Sequence, residues 1–415
     1  MDLADLAALH HLTPQQVIHL HSAALYRVYM IGFMPGFAYL GGLDPRLHTS
    51  RRESPRLKTP AGSISIGGIQ TAVGSVKAPS GWHLIGRTPR PGSRDAVFIQ
   101  HRRPYPFYAS LRGHLYTSAG ARRLSSRLDM AIMANGLEVL TPGVYTTVQD
   151  EGRFGFEDCG VPPSGAMDEM SSSIANALVG NQVSTGVLEF TLTGATLRLT
   201  GTAPCRFAVT GDMQLTLDDR PLSTHCRHIM LPGSTLRVIR ACSGARGYLA
   251  ATPGTVPRQA SQPAQRLMPQ RERLPGRLVA GPQQGHFGQA GLACFLAGEY
   301  RVSGESDRMG YRLSGPPVPH LQGFNIVSDA ISRDSIQIPG NGQPIIAMND
   351  RQTTGGYPKI ATVIRADLAR LGQQKPGDSL RFEQVSVEKA ESLWIGRHQH
   401  MQRWLGELHE AVLRG

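Results

Sequence analysis

No apolar run in the 415-residue chain approaches the roughly 20 residues needed to span a bilayer. The amino-terminal MDLADLAALHHL has neither the basic stretch nor the apolar core of a secretory signal. These absences predict a soluble, cytoplasmic protein without a membrane partner. Cysteine is scarce and scattered: Cys159, Cys205, Cys226, Cys242 and Cys294 include no C-x-x-C pair, so neither a zinc ribbon nor a disulfide framework is indicated. The phosphate-binding pattern G-x-x-x-x-G-K-[ST] is missing too. Its nearest approach, DRQTTGGYPKIATV (Asp350 to Val363), places Tyr357 and Pro358 between Gly356 and Lys359 and runs into Ile360 to Ile364, a β-branched strand where the motif needs a helix. Any ATP site is therefore of another type.

The chain does hold 47 Gly and 29 Pro against 18% charged residues, a density of turn formers that predicts a mainly β protein of short strands. Its length predicts two or three domains. The net charge of +12 is concentrated in residues 90–130, with eight Arg against Asp95 and Asp129, and in residues 256–277, with five Arg against Glu272. Both segments lack hydrophobic periodicity, so they read as solvated connectors, and nucleic acid is not an expected partner.

Thr13-Pro14-Gln15-Gln16 is a capping box with Pro at the first helical position, predicting a helix to about His21. Tyr26 to Pro89 alternates β-branched runs with Gly and Pro. A new start follows near Met130, so domains of 1–130 and 131–415 are expected, the second divided into β lobes of about 131–255 and 278–385. Met167, Met170, Ile174 and Leu178 predict a helix stopped by Gly180-Asn181. Leu393, Trp404, Leu405, Leu408 and Val412 predict an amphipathic carboxy-terminal helix covering a barrel or a partner.

The first and last β regions share a pattern. Ser63-Ile64-Ser65-Ile66-Gly67-Gly68 leads to Gly81-Trp82-His83-Leu84-Ile85, and Ser335-Ile336-Gln337-Ile338-Pro339-Gly340 leads to Gly356-Tyr357-Pro358-Lys359-Ile360. Both read S-I-x-I-x-G and then G-[WY]-x-x-I, which predicts two related barrels, each with an aromatic ring on an inter-strand turn that plugs the barrel or faces a cleft. The lysine occurs in one copy only.

GFMPGFAYLGGLDPRL (Gly32 to Leu47), PAGSISIGG and SGWHLIGRTP resemble the carboxyltransferase region of the B-type subunit of 5-oxoprolinase and of allophanate hydrolase subunit 1. GVYTTVQDEGRFG (Gly143 to Gly155), GVPPSGAMDEMS (Gly160 to Ser171), SDRMGYRLSG (Ser306 to Gly315) and DRQTTGGYPKIATV resemble its C-type counterpart and allophanate hydrolase subunit 2. The resemblance covers residues 1–89 and 137–385. It implies cyclophilin-like β-barrels with a few peripheral helices, and a fused component of an ATP-dependent 5-oxoprolinase that opens 5-oxo-L-proline to L-glutamate, with the A-type 5-oxoprolinase subunit for its partner. Because the family extends to urea amidolyase, it also implies, as an alternative, a biotin-dependent carboxyltransferase acting on urea or a related amide. A further alternative is a non-catalytic regulator resembling a histidine-kinase inhibitor. The B-type subunit ordinarily carries a further amino-terminal segment, and its barrel closes with a strand like Gly377-Asp378-Ser379-Leu380-Arg381-Phe382, for which residues 91–125 offer no counterpart.

Opening or carboxylating an amide requires donors for a developing oxyanion. Arg308, Arg312, Arg351 and Lys359 are candidate donors, with the arginine fork suited to a substrate carboxylate. Asp350 is the candidate general base or orienting group, and Asp350 and Lys359 form the expected catalytic pair, with Thr354 and Tyr357 at the substrate. Gln149, Asp150 and Arg153 offer a second polar set that suits turn capping equally well, and Arg46 and Arg56 are the first region's candidates for an anionic substrate. His225-Cys226-x-His228 has the spacing of a strand or turn and is read as structural, so no metal is expected.

Overall fold

The β-branched and glycine-rich runs fold into three successive lobes in a computed structural model that describes residues 1–88, 136–253 and 275–414. Residues 90–130 and 256–274, which hold most of both basic segments and the boundary expected near 130, lie outside the described residues. In lobe 1, helices α1 (Leu3–Leu9) and α2 (Pro14–Ala23) precede strands β1 (Arg27–Ile31), β2 (Ala38–Gly41), β3 (Arg56–Thr59), β4 (Ser63–Gly67), β5 (Gln70–Val73), β6 (Ala78–Ser80) and β7 (His83–Arg87). The capping box forms as expected. Thr13 Oγ1 accepts from the Gln16 amide at 3.2 Å and Gln16 Oε1 accepts from the Thr13 amide at 2.7 Å, satisfying two amides that the first turn leaves without partners. Leu6, Val17, Leu47, Ile66 and Ile85 make one core under the helices. Tyr39, Ala72 and Trp82 make a second cluster, with Phe33 and Phe37 packed against it.

Lobe 2 holds β8 (Gly136–Thr141), β9 (Tyr145–Gln149), α3 (Glu169–Val179), β10 (Val187–Thr191), β11 (Thr196–Thr200), β12 (Cys205–Leu217), β13 (Arg220–Leu222), β14 (Arg227–Met230) and β15 (Thr235–Pro253), all eight strands in one sheet. Asp168 caps α3 by accepting from the Ser171 amide at 3.1 Å, and Gly180, with φ +83°, ends it. Met167, expected inside this helix, precedes its cap.

Lobe 3 holds β16 (Gly276–Ala280), α4 (Gly288–Ala297), β17 (Tyr300–Val302), β18 (Gly310–Ser314), β19 (Asp329–Ala330), β20 (Ser335–Gln337), β21 (Ile345–Ala347), β22 (Thr354–Gly355), β23 (Lys359–Val363), α5 (Leu368–Gly372), β24 (Ser379–Leu380) and β25 (Phe382–Gln384). The final helix, α6 (Val387–Arg414), seats Trp404 and Leu405 on Ile174 and Leu178 of α3. It covers lobe 2.

Lobes 1 and 3 repeat each other strand for strand. The order β1-β2-β5-β4-β7 in the first sheet recurs as β17-β18-β21-β20-β23 in the third, and a separate two-stranded pair, β3 with β6 or β19 with β22, recurs with it. Even an irregularity is duplicated: the pairing register shifts between Ile64 and Ser65 and again between Ile336 and Gln337. The third sheet extends further, with β24 beyond β17 and β16 and β25 beyond β23, so it approaches a closed barrel. The Gly377-to-Phe382 segment supplies part of that closure, since Leu380 pairs with Tyr300 and Phe382 with Gly276.

Candidate functional site

The duplicated sheets bring equivalent rows of side chains to one place. Across the first sheet, Leu84 pairs with Ser65, Ser65 with Ala72, and Ala72 with Tyr39. Across the third, Lys359 pairs with Gln337, Gln337 with Ile345, and Ile345 with Arg312. Paired residues in adjacent strands share a face. Tyr39 and Arg312 therefore occupy corresponding positions, as do Trp82 and Tyr357, and all four line a cleft between lobes 1 and 3. Each ring stands just ahead of β7 or β23 and faces the cleft, one of the two placements expected for it.

A reciprocal clasp holds the cleft together. Arg51 of lobe 1 reaches across to donate from Nη1 to the Ile326 carbonyl at 2.7 Å and from Nη2 to Ser328 Oγ at 3.0 Å. Its guanidinium fills the space beside Gly356, where a Cβ would lie 1.9 Å from Arg51 Cζ. In return, Tyr357 of lobe 3 donates its hydroxyl to the Arg52 carbonyl at 2.8 Å, and that hydroxyl occupies the position where a Cβ on Gly81 would lie only 2.0 Å away. Gly81 and Gly356 are the matching glycines of the G-[WY] repeat. Each is needed because the other lobe's side chain passes against it.

The two walls differ in chemistry. Lobe 1 contributes aromatic rings, with Phe37 and Tyr39 centroids 4.9 Å apart and Tyr39 and Trp82 5.7 Å apart in edge-on contact. Tyr39 Oη shares a 2.8 Å hydrogen bond with Thr354 Oγ1, and burial pushes the phenol's pKa up, so it stays neutral. Lobe 3 contributes Arg312, Gln337, Glu305 and Asp307. Burial also raises the Tyr357 phenol, against the opposing pull of Arg51.

Of the residues singled out from sequence, Arg312 and Tyr357 line the cleft, and Thr354 stands behind it, holding Tyr39. The others are placed elsewhere, most of them paired. Arg308 is buried and forms a two-pronged bond to Asp350 at 2.8 and 3.0 Å, with Nη1 donating to Glu189 Oε1 at 2.5 Å. Arg351 donates to the Ile331 carbonyl at 3.0 Å and to Glu157. Lys359 Nζ is held by Asp329 Oδ2 at 2.6 Å and the Ala330 carbonyl at 3.1 Å. Gln149 bonds Thr147, Asp150 accepts from the Gly152 amide at 2.8 Å in a local turn, and the Arg153 side chain is exposed. Arg46 forks onto Asp44 at the surface, and Arg56 binds Asp2 and the Trp82 carbonyl. His225 Nε2 accepts from the Gly211 amide at 3.2 Å, and among the described residues no group of three or more His, Cys, Asp or Glu is placed to hold a metal ion.

Because the position matching Lys359 is Leu84, Lys359→Leu is expected to leave stability within about 1 kcal/mol of the parent in urea denaturation. Activity measured on the same sample then reports on the ammonium group alone.

Arg51 gave no local signal in sequence, because its partners are more than 270 positions away. No helix among the described residues is long and apolar enough to cross a membrane. Of the cleft's two arginines, Arg51 donates to the Ile326 carbonyl and to Ser328 Oγ, and Arg312 feels Glu305 and Asp307 through space only.

Residues 159–258 and 251–384 match the family model for carboxyltransferase domain, subdomain A and B, and residues 1–95 match that for subdomain C and D. The chain is 34% identical to the C-type subunit of 5-oxoprolinase from Escherichia coli over 307 residues, 66% of this chain and 97% of that relative. It is 54% identical to the B-type subunit of 5-oxoprolinase from Haemophilus influenzae over 87 residues, 21% of this chain and 41% of that relative, so it spans about two fifths of the B-type protein. The crystal structure of TTHA0988 superimposes with a TM-score of 0.68 at 28% identity, covering 92% of this chain and 83% of that one. The cleft therefore lies where a B-type lobe meets a C-type one, and the chain belongs to the carboxyltransferase-domain family as a fusion of B-type and C-type 5-oxoprolinase parts.

Proposed function

We propose that this chain is the fused B and C component of an ATP-dependent 5-oxoprolinase, opening 5-oxo-L-proline to L-glutamate in the cleft between lobes 1 and 3. The observation that carries the proposal is the reciprocal clasp: parts resembling two separate 5-oxoprolinase subunits jointly wall one cleft, and neither part alone completes it. In this reading the ring amide lies against the aromatic wall, with the Tyr39 and Tyr357 hydroxyls kept neutral by burial. Lys359 and Asp350 act as positioning residues, Lys359 through Asp329 next to Ser328 and Asp350 through Arg308. In this reading the nucleotide is held by the partner, the A-type 5-oxoprolinase subunit, since the chain has no phosphate-binding motif of the G-x-x-x-x-G-K-[ST] type.

The family's carboxyltransferase chemistry favours a second reading, carboxyl transfer from biotin to urea or a related amide. The aromatic wall and the neutral amide of Gln337 would suit a ureido ring, and biotin would supply the activated carboxyl group. The two readings separate in one comparison: the chain with ATP, 5-oxo-L-proline and the A-type partner, against the chain with a carboxylated biotin carrier and urea. Glutamate formation in the first mixture alone is expected. Carboxylated urea in the second, with no glutamate in the first, would overturn the proposal, and inactivity in both with a folded chain would favour a regulatory role.

A further inference from the structure

The duplicated rows assign different parts of a ligand to the two walls. Tyr39 and Arg312 sit at matching positions on matching strands, yet one is a neutral aromatic and the other a cation. Around Tyr39 the wall is apolar, built from Phe33, Phe37 and Trp82. Around Arg312 it is polar. Among the described residues, the Arg312 guanidinium makes no hydrogen bond or ion pair with the protein, whereas the cleft's other arginine, Arg51, is fully committed. The carboxylates nearest Arg312 do not replace a ligand. Asp307 spends Oδ1 on the Met309 and Gly310 amides at 2.8 and 3.2 Å, and Glu305 sits exposed at the rim, with neither within ion-pair distance of Arg312. A partly desolvated guanidinium that feels Glu305 and Asp307 only through space and donates no hydrogen bond among the described residues, facing a cleft, fits a carboxylate supplied from outside.

We propose that Arg312 recognises the carboxylate of a small cyclic amide while the Phe37–Tyr39–Trp82 wall holds its ring carbons, so the cleft selects acid-bearing rings over neutral amides. This rests on the preceding reading for its choice of substrate but not for the division of the cleft. The wall-to-wall asymmetry makes Arg312 the specificity-determining residue, and loss of its charge should weaken only ligands that carry the acid.

The test compares 5-oxo-L-proline with 2-pyrrolidinone, the same ring lacking the carboxylate, by calorimetric binding to the full chain and by turnover with ATP and the A-type partner. The parent chain is expected to prefer 5-oxo-L-proline by roughly 10- to 100-fold. Arg312→Gln should erase the preference, chiefly through KM, with an unchanged unfolding midpoint, and Arg312→Lys should restore part of it. Phe37→Leu should weaken both ligands alike. If Arg312→Gln keeps the parent's preference, the inference is wrong even where turnover of 5-oxo-L-proline upholds the proposed function. If 5-oxo-L-proline is not turned over but other ring carboxylates, with pyrrole-2-carboxylate as the probe, bind in an Arg312-dependent way, the proposed reaction fails and the division of the cleft stands. A parent chain that binds no ring carboxylate overturns the inference.

Discussion

Arg308→Met is expected to lower the free energy of unfolding by about 3–5 kcal/mol, because it strands a carboxylate that water cannot reach. Glu189, on β10 of lobe 2, is 1% exposed. Its Oε1 accepts from Arg308 at 2.5 Å and its Oε2 from the Met167 amide at 2.8 Å. The next cation, Arg246, donates from Nη1 to Tyr311 Oη at 2.5 Å, while its Nε stands 3.6 Å from Glu189 Oε1 without a hydrogen bond, so only a shift of that buried side chain would let it replace Arg308. Although burial alone would make Arg308 easier to deprotonate, Glu189 and Asp350 outweigh it and raise its pKa, so the arginine is firmly cationic. The same guanidinium bonds the Gly165 carbonyl at 2.8 Å, so one side chain ties lobe 2 to lobe 3. Urea denaturation measures the loss. Arg308→Met combined with Glu189→Gln should recover part of it, since the double variant removes the buried carboxylate along with its cation and leaves Arg246 as the remaining buried charge. A single variant within about 1 kcal/mol of the parent would mean that the network is solvated and does not hold the lobes.

Gly356→Ala is expected to cost about 1–3 kcal/mol and to reduce activity well beyond what that loss of stability explains. The new methyl group would lie 1.9 Å from Arg51 Cζ, so Arg51 must leave the Ile326 carbonyl and Ser328. Gly81→Ala acts from the opposite side, driving the Tyr357 hydroxyl off the Arg52 carbonyl. Because both substitutions open the same seam, their combined cost should fall short of the sum of the two. Unfolding free energies of the two single variants and the double variant decide this. Additive costs would show that the two halves of the clasp work independently, and costs under about 0.5 kcal/mol would show that the lobes are not clasped.

Much of the fold was legible because its signals are local. The capping box at Thr13, the Gly180-Asn181 helix stop and the S-I-x-I-x-G repeat depend on residues close in the chain, and each forms the element it predicts. The repeat also led to the cleft, since its two aromatic residues stand on the facing walls. What escaped was either weakly patterned or long-range. The α1 segment LADLAAL follows Asp2, which makes no side-chain cap and instead accepts from the Leu84 amide, while α4 begins at Gly288, a residue that reads as a turn. The charged candidates Arg351 and Lys359, after β21, have their partners 194 and 30 positions away, at Glu157 and Asp329, so sequence could name the ions but not which were already paired. Arg312 and Lys359 look alike in sequence as cations near strands. Only the pairing rows show one facing open space and the other closed onto a carboxylate.

The most direct measurement is the stoichiometry of ADP and L-glutamate released when the full chain is mixed with ATP, 5-oxo-L-proline and the A-type 5-oxoprolinase partner, run alongside Gly356→Ala. Ring opening in a clasped cleft predicts coupled formation of both products by the parent chain, dependent on the chain's presence and sharply reduced by the clasp variant at a temperature where that variant stays folded. Coupled turnover that the clasp variant leaves unchanged, or ATP hydrolysis without glutamate from a folded parent, would contradict it.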